Sequence, residues 1–516
     1  MTDKQKCCVL LLLGVILALG LRLPRLAERP MHSDEAIHAE KFGQLLEQGT
    51  YRYNPEDYHG PTLNYFTLIP AKLQGAINLK QVNEVTLRIV PVFFGVLVIL
   101  LLWLLADGLG TGAIIIAGLL TAISPAIVFY SRYYIQEMLL VCFTFGLIAC
   151  GYRYARSKNI LWTILAGIFA GLMHATKETC IIAFGSMVLA ILLVSLLHRG
   201  QKSFHWKIWH IVAGIVAAIV VSVFFYSSFF THPSGIVDSV KALSAYFSRA
   251  SENKLHIHPW YYYLQLLIYF KSDSGPVFSE ALIVVLAVIG FVAAIRGKFA
   301  TDIDLRLARF IGFYTFIMTA IYSTIPYKTP WCMLSFLNGM TLLAGIGVVA
   351  IIKSVTVMAG RVVIAIILIA VGTHLLWESY SANYKYYAEP VNPYVYAHPT
   401  RDVIAVANRV KEIAATMPEG YNVYIEVICT DNDYWPLPWY LRTFNNVGWW
   451  NKVDYKTPAA PIIIATADLE EDILKLLYEV PLPGKRDLYV PLFDRDMYLR
   501  PNVKLLGFVK QELVNK

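Results

Sequence analysis

"VTLRIVPVFFGVLVILLLWLLA", residues 85–106, carries one charge, Arg88, in a run long enough to cross a bilayer as a helix. About 20 mostly apolar residues cover the hydrocarbon core. Windows of the same kind recur at 7–27, 112–130, 135–153, 160–176, 180–198, 208–228, 279–296, 308–326, 331–352 and 361–378. With 57% hydrophobic and 16% charged residues in 516, and a mean hydropathy of +0.53, the chain is too apolar for an ordinary soluble protein. The expected class is a polytopic α-helical membrane protein of about eleven spans, with the membrane region at 1–380 and a soluble α/β domain at 381–516.

Lys and Arg near span ends stay preferentially on the cytoplasmic side. Placing the N-terminus inside collects Lys4, Lys6, Arg153, Arg156, Lys158, Arg199, Lys202, Lys207, Arg296, Lys298, Arg306, Arg309, Lys353 and Arg361 there. The formal charge of +8 then needs no nucleic-acid partner, because most of the excess orients the protein in its membrane. An odd number of spans leaves the C-terminal domain on the outer, periplasmic side of a plasma membrane. The N-terminal apolar run lacks a clean small-x-small cleavage site after Gly20 and reads as an uncleaved span. Seven cysteines form no framework and read as small buried hydrophobes.

Polar clusters gather in the outer half of this topology: "HSDEAIH" (32–38), "EDYHGPTLNYF" (56–66), "YSRYYIQEM" (130–138), "ATKETC" (175–180), "HIHPWYYYL" (256–264) and "IPYKTPW" (325–331). Ionisable groups at membrane ends are costly unless paired, hydrated or used, so one-sided clustering points to a site. In the first outer loop, 28–84, Ser33 or Asp34 is placed to cap a helix bearing Ile37, Phe42, Leu45 and Leu46 and ending at Gly49. That helix is expected to lie flat on the membrane, followed by a second short apolar helix after Pro61. The simplest task for Asp34 and Glu35 is to favour the helix dipole.

The stretches "RPMHSDEAIHA" (29–39), "YHGPTLNYF" (58–66), "SPAIVFYSRYYIQEM" (124–138) and "IPYKTPW" (325–331) resemble the GT-C membrane glycosyltransferases. These include protein O-mannosyltransferases and aminoarabinose transferases, and the subfamily labelled "flippase activity-associated protein" is similar to the chain over the entire membrane region. The resemblance implies a polyprenyl-phosphate-linked sugar donor, an unknown acceptor, an inverting transfer, and membrane lipids as surroundings. It implies Asp34 as the catalytic base, with Glu35 beside it. Such a reaction wants a base for the acceptor hydroxyl and cations for the phosphate leaving group. Arg132 is the first candidate cation, since guanidinium matches phosphate oxygens in pairs, with Lys177 and Lys328 as further ones.

Glu137 is placed to orient Arg132 or touch the sugar, and Tyr58, His59 and Glu178 line the expected substrate cavity. Related aminoarabinose transferases hold a divalent metal ion with a first-loop carboxylate and a later histidine, which makes His256 and His258 candidate ligands. Here "YHGP" stands where the relative has an acidic residue, a lysine and two prolines, so that carboxylate is missing and His59 replaces the lysine. Competing readings are a flippase or transporter of lipid-linked sugars and an accessory protein of envelope glycan assembly. In the tail, helix 400–417 and strand 421–428 precede a strand and helix at 460–477, with Val403, Val406, Val423, Ile425, Ile462 and Ile463 in the core.

Overall fold

The computed structural model describes residues 3–55, 59–198, 207–242, 256–272, 274–297 and 303–514. In chain order the main helices are α1 (Asp3–Arg22), α2 (Ser33–Gln48), α3 (Thr62–Gln74), α4 (Glu84–Leu101), α5 (Thr111–Ile123), α6 (Pro125–Ser131), α7 (Glu137–Ser157), α8 (Ile160–His174), α9 (Cys180–Leu197) and α10 (Ile208–Tyr226). They continue as α11 (Ala281–Arg296), α12 (Leu305–Thr324), α13 (Leu334–Ser354), α14 (Met358–Tyr380), α15 (Asp402–Thr416) and α16 (Glu470–Tyr478). Two compact units result: Met1–Leu26 with Gln48–Gln74 and Val85–Tyr396, and Ala27–Glu47 with Gly75–Glu84 and Ala397–Lys516. The C-terminal segment of the second unit thus begins at Ala397 rather than at 381, and the unit takes in most of α2.

The first unit is a membrane bundle, with a helix at every span expected from hydropathy. Among the described residues eight helices are long and apolar enough to cross, and a ninth if the bent pair α5 and α6 counts as one span. α8 and α11 are apolar but shorter. The bend of 60° between α5 and α6 follows from Pro125, which offers no N–H to continue the helix, and from Ser124, whose side chain accepts the Ile127 N–H to start a new one. α11 and α13 meet backbone to backbone. A Cβ on Gly290 would lie 1.9 Å from the Leu343 carbonyl oxygen, and one on Gly347 would lie 2.1 Å from that of Leu286.

The second unit holds a six-stranded sheet made of β1 (Tyr424–Ile428), β2 (Asn446–Trp450), β3 (Ile462–Thr466), β4 (Tyr489–Pro491), β5 (Met497–Arg500) and β6 (Val503–Lys510). Its order is β2-β1-β3-β6-β4, with β5 also on β6. β1 runs parallel to both neighbours, placing Ile425 beside Val447 and Ile462, while β6 pairs antiparallel with β3. Alternation puts Ile428, Ile463 and Ala465 against Ile473, Leu476 and Leu477 of α16. The residues expected in this core, Val403, Val406, Val423, Ile425, Ile462 and Ile463, are all buried.

α2 stops where Gly49 adopts φ +72°, a conformation glycine takes without strain. Its stripe, including Ala36, Ala39, Phe42 and Leu45, is buried in protein rather than left open to lie on a lipid surface. Gly43 would bring a Cβ to 3.0 Å from the Leu79 side chain, and Glu47 accepts the Leu79 N–H at 2.9 Å. Met31 donates its N–H to the Tyr440 hydroxyl at 2.7 Å, and Arg442 donates to the Val82 carbonyl at 2.7 Å. These bonds knit first-loop segments into the C-terminal unit.

Glu280, fully buried just before α11, accepts from the Ala126 N–H at 2.9 Å, the Tyr394 hydroxyl at 2.9 Å and the Ser124 hydroxyl. Removing the acceptor strands three buried donors, at about 1–3 kcal/mol each. Glu280→Ala is therefore expected to lower the melting temperature of the purified protein by far more than Glu280→Gln, which keeps one acceptor oxygen; equal melting curves for the two variants would contradict that.

Candidate functional site

In the second unit, the N-terminus of α2 shows where Asp34 and Glu35 stand. The cap is His32. Its Nδ1 accepts the Asp34 N–H at 3.0 Å, while Glu35 reaches back to accept the His32 N–H at 3.0 Å. This is a capping box with histidine in the place usually taken by Ser or Thr. Glu35 is fully buried, and Arg29 faces its other oxygen at 3.5 Å. Asp34, which was expected to share the capping, contributes no side-chain bond to it. Its carboxylate stays 42% exposed, with Oδ1 3.8 Å from His32 Nδ1. Ser33 likewise does not cap and turns its hydroxyl towards the Trp435 carbonyl at 3.4 Å.

In the first unit, Arg132 was expected to meet phosphate and is turned instead to the end of α1. Its Nη1 donates to the carbonyls of Arg22 at 2.9 Å and Pro24 at 2.8 Å and to the Tyr384 hydroxyl at 3.1 Å, and Nη2 donates to the Arg25 carbonyl at 3.2 Å. A helix C-terminus leaves carbonyls without intrahelical donors and carries partial negative charge, so a guanidinium fits there as well as on a phosphate. The expected pairing of Glu137 with Arg132 is replaced by a buried ion pair with Lys177. Burial opposes the Lys177 charge, yet the Glu137 carboxylate beside it holds the ammonium above the usual lysine range.

His59 and Glu178 come together, Nδ1 lying 2.8 Å from the Glu178 carboxylate, and Tyr53 donates its hydroxyl to the other oxygen at 3.1 Å. Sequence reasoning did not mark Tyr53, which sits in an unremarkable loop. The segment is held close because Gly60 lacks a side chain: a Cβ there would lie 2.3 Å from the Ala175 carbonyl oxygen. Thr62 then donates its N–H to that carbonyl at 3.2 Å, and the hydroxyls of Thr62 and Thr176 are 2.8 Å apart. Tyr58 lies outside the described residues.

His256 and His258 come together at one hydroxyl. His256 Nδ1 at 2.6 Å and His258 Nε2 at 2.9 Å both bond the Tyr396 hydroxyl, and His258 also stacks on Tyr262. Among the described residues no group of three or more His, Cys, Asp or Glu is arranged to hold a metal ion, whereas a zinc-type site needs at least three protein ligands. Lys328 donates to the His258 and Ile325 carbonyls, and its backbone N–H bonds the His256 carbonyl at 2.9 Å. Burial holds the Lys328 ammonium below its usual range; burial, then His256 and Lys328, does the same to His258.

A family described as dolichyl-phosphate-mannose-protein mannosyltransferase matches residues 59–226. Among curated proteins no sequence match is found. The structure is similar to ArnT from Cupriavidus metallidurans bound to undecaprenyl phosphate, at 15% identity over 96% of this chain and 97% of that one, with a TM-score of 0.62. It is also similar to the oligosaccharyltransferase of Archaeoglobus fulgidus, at 11% identity over 91% of this chain and 71% of that one, with a TM-score of 0.56. Archaeal oligosaccharyltransferase AglB from Archaeoglobus fulgidus, in complex with an inhibitory peptide and a dolichol-phosphate, gives 11% identity over 98% and 74%, with a TM-score of 0.53. The chain thus has the polytopic helical membrane fold of ArnT.

The His59 contact has a measurable consequence. Burial opposes ionisation of Glu178, but His59 and Lys177 outweigh it and hold the carboxyl at about 2, below its ordinary 4.5. A lowered native pKa stabilises the fold fully above the ordinary value and progressively less as pH falls towards the native one. Wild-type protein is expected to lose melting temperature between pH 5 and pH 3, while Glu178→Gln starts lower and changes less; parallel curves would remove the effect.

Proposed function

We propose that this chain is a glycosyltransferase that moves a sugar from a polyprenyl-phosphate donor to an acceptor hydroxyl at the outer membrane face, with Asp34 as the base. The observation that carries the reading is the state of Asp34. It stands in the first turn of α2, half-exposed, with the capping done by His32 and Glu35. A carboxylate that does none of the capping, on a helix whose other first-turn groups are fixed, is suited to take a proton from a bound hydroxyl. Support comes from the likeness to ArnT across nearly the whole of both chains and from the family match.

In the reaction, Asp34 accepts the hydroxyl proton while the acceptor oxygen forms its bond to the anomeric carbon. The bond from that carbon to the phosphate oxygen breaks on the opposite side, and the phosphate leaves with the electron pair. A single displacement inverts the anomeric centre and needs no second carboxylate as nucleophile. The phosphate's growing charge calls for a cation. We assign this to Lys177 before Arg132 and Lys328, because Lys177 is buried against the Glu137 carboxylate, and a phosphate anion can take that partner's place. Arg132 and Lys328 are turned towards carbonyl oxygens. The basic inner loops support placing this chemistry on the outer side.

The test uses purified protein with a labelled polyprenyl-phosphate sugar. Asp34→Asn is expected to reduce transfer at least about a hundredfold with donor affinity nearly unchanged, while Lys177→Met weakens donor affinity. Wild-type turnover in Asp34→Asn removes the base assignment, and unaltered donor affinity in Lys177→Met removes the phosphate assignment.

A further inference from the structure

The histidine before the Asp-Glu pair does more than begin a helix. For Nδ1 of His32 to accept the Asp34 N–H at 3.0 Å, that nitrogen must carry no proton. The same nitrogen lies 3.8 Å from Asp34 Oδ1. One atom therefore both fixes the backbone of Asp34 and faces its carboxylate. The ring is buried and packs edge-on against the His398 ring, with centroids 4.9 Å apart. Around it stand Glu35 on the His32 N–H, Arg29 on the far oxygen of Glu35, and the Tyr440 hydroxyl on the Met31 N–H.

We propose that His32 is a positioning residue for Asp34 that works only as the neutral imidazole, so that acid switches the base off through the histidine. The proposal rests on the reading of Asp34 as base. Protonation of Nδ1 has two effects in the same direction. The nitrogen can no longer accept the Asp34 N–H, so the first turn of α2 loses its cap. The new N–H also points an imidazolium at the Asp34 carboxylate, which favours the charged carboxylate, lowers its affinity for a substrate proton and draws it out of its free orientation. Of the neighbours, Asp34 favours the imidazolium and His398, if charged, opposes it. Arg29 faces a carboxylate that offsets its charge.

The experiment is the pH dependence of kcat and donor KM in wild type, His32→Ala and His32→Asn, in the full chain. His32→Ala is expected to lose about tenfold or more in kcat with donor KM little changed, since misplacing a reacting group affects the chemical step. His32→Asn recovers turnover relative to alanine, because asparagine is among the best N-caps. It also loses the acid limb in the imidazole range between pH 5 and 8, its activity falling only at more acid pH. A wild-type acid limb in His32→Asn, or wild-type kcat in His32→Ala, overturns the proposal.

A second readout is independent of catalysis. In protein labelled with [15N]histidine, the signal missing from His32→Asn should show an unprotonated Nδ1 at pH 8, in wild type and in Asp34→Asn alike. A protonated Nδ1 there overturns the proposal by itself. Retained transfer in Asp34→Asn, with that nitrogen signature intact, would overturn the base assignment and leave His32 as a cap alone.

Discussion

Inside the membrane unit a polar group removed from water must find its partner in the protein, and the bundle is organised by that requirement. Arg22, at the end of α1, donates to the Thr121 and Ala122 carbonyls at 3.0 Å, near the C-terminus of α5. Arg132 in turn donates to carbonyls at the end of α1, and Arg88 donates to the Leu26 carbonyl at 2.9 Å. Each guanidinium closes the open end of a different chain segment. Glu280 does the converse, accepting from the start of α6 and from Tyr394. Charges that hydropathy alone marks as exceptions are thus what fixes helix against helix, where apolar contact discriminates poorly.

The same requirement governs the start of α2, although the outcome there is different. Glu35 accepts the His32 N–H, His32 accepts the Asp34 N–H and Arg29 offsets the buried Glu35 carboxylate, so the Asp34 carboxylate does none of the capping. In an acid-base reaction that is the useful state: a carboxylate already held in a strong bond gives up proton affinity to its partner. The pairing of Glu137 with Lys177 in the first unit follows the opposite logic. A buried anion and cation neutralise each other.

Much of the architecture was legible in the sequence. Apolar windows located the membrane helices, Gly49 located the end of α2, and short apolar runs next to helix-patterned segments located β1 and β3. Less legible was everything that depends on contacts distant along the chain. An arginine at a span end looks the same in sequence whether it meets phosphate or caps a helix, so the geometry of Arg132 could not be foreseen. Histidine is a rare cap, and Ser33 and Asp34 are common ones, which drew attention one residue too far along. The strand "NVGWW" (β2) contains a glycine and reads poorly as a strand until β1 is beside it. The bond from Met31 to Tyr440 spans 409 positions, and no local pattern announces it.

The central claim is that the sugar leaves its lipid. It is tested most directly by reconstituting the protein in liposomes with a polyprenyl phosphate carrying a radiolabelled sugar, adding envelope extract as acceptor, and following both the label's covalent attachment and its leaflet. Transferase action predicts label moving from lipid to acceptor, with free polyprenyl phosphate formed in equal amount. Label that crosses the bilayer still joined to its lipid, with no polyprenyl phosphate released, would contradict the account and make the protein a carrier of lipid-linked sugars.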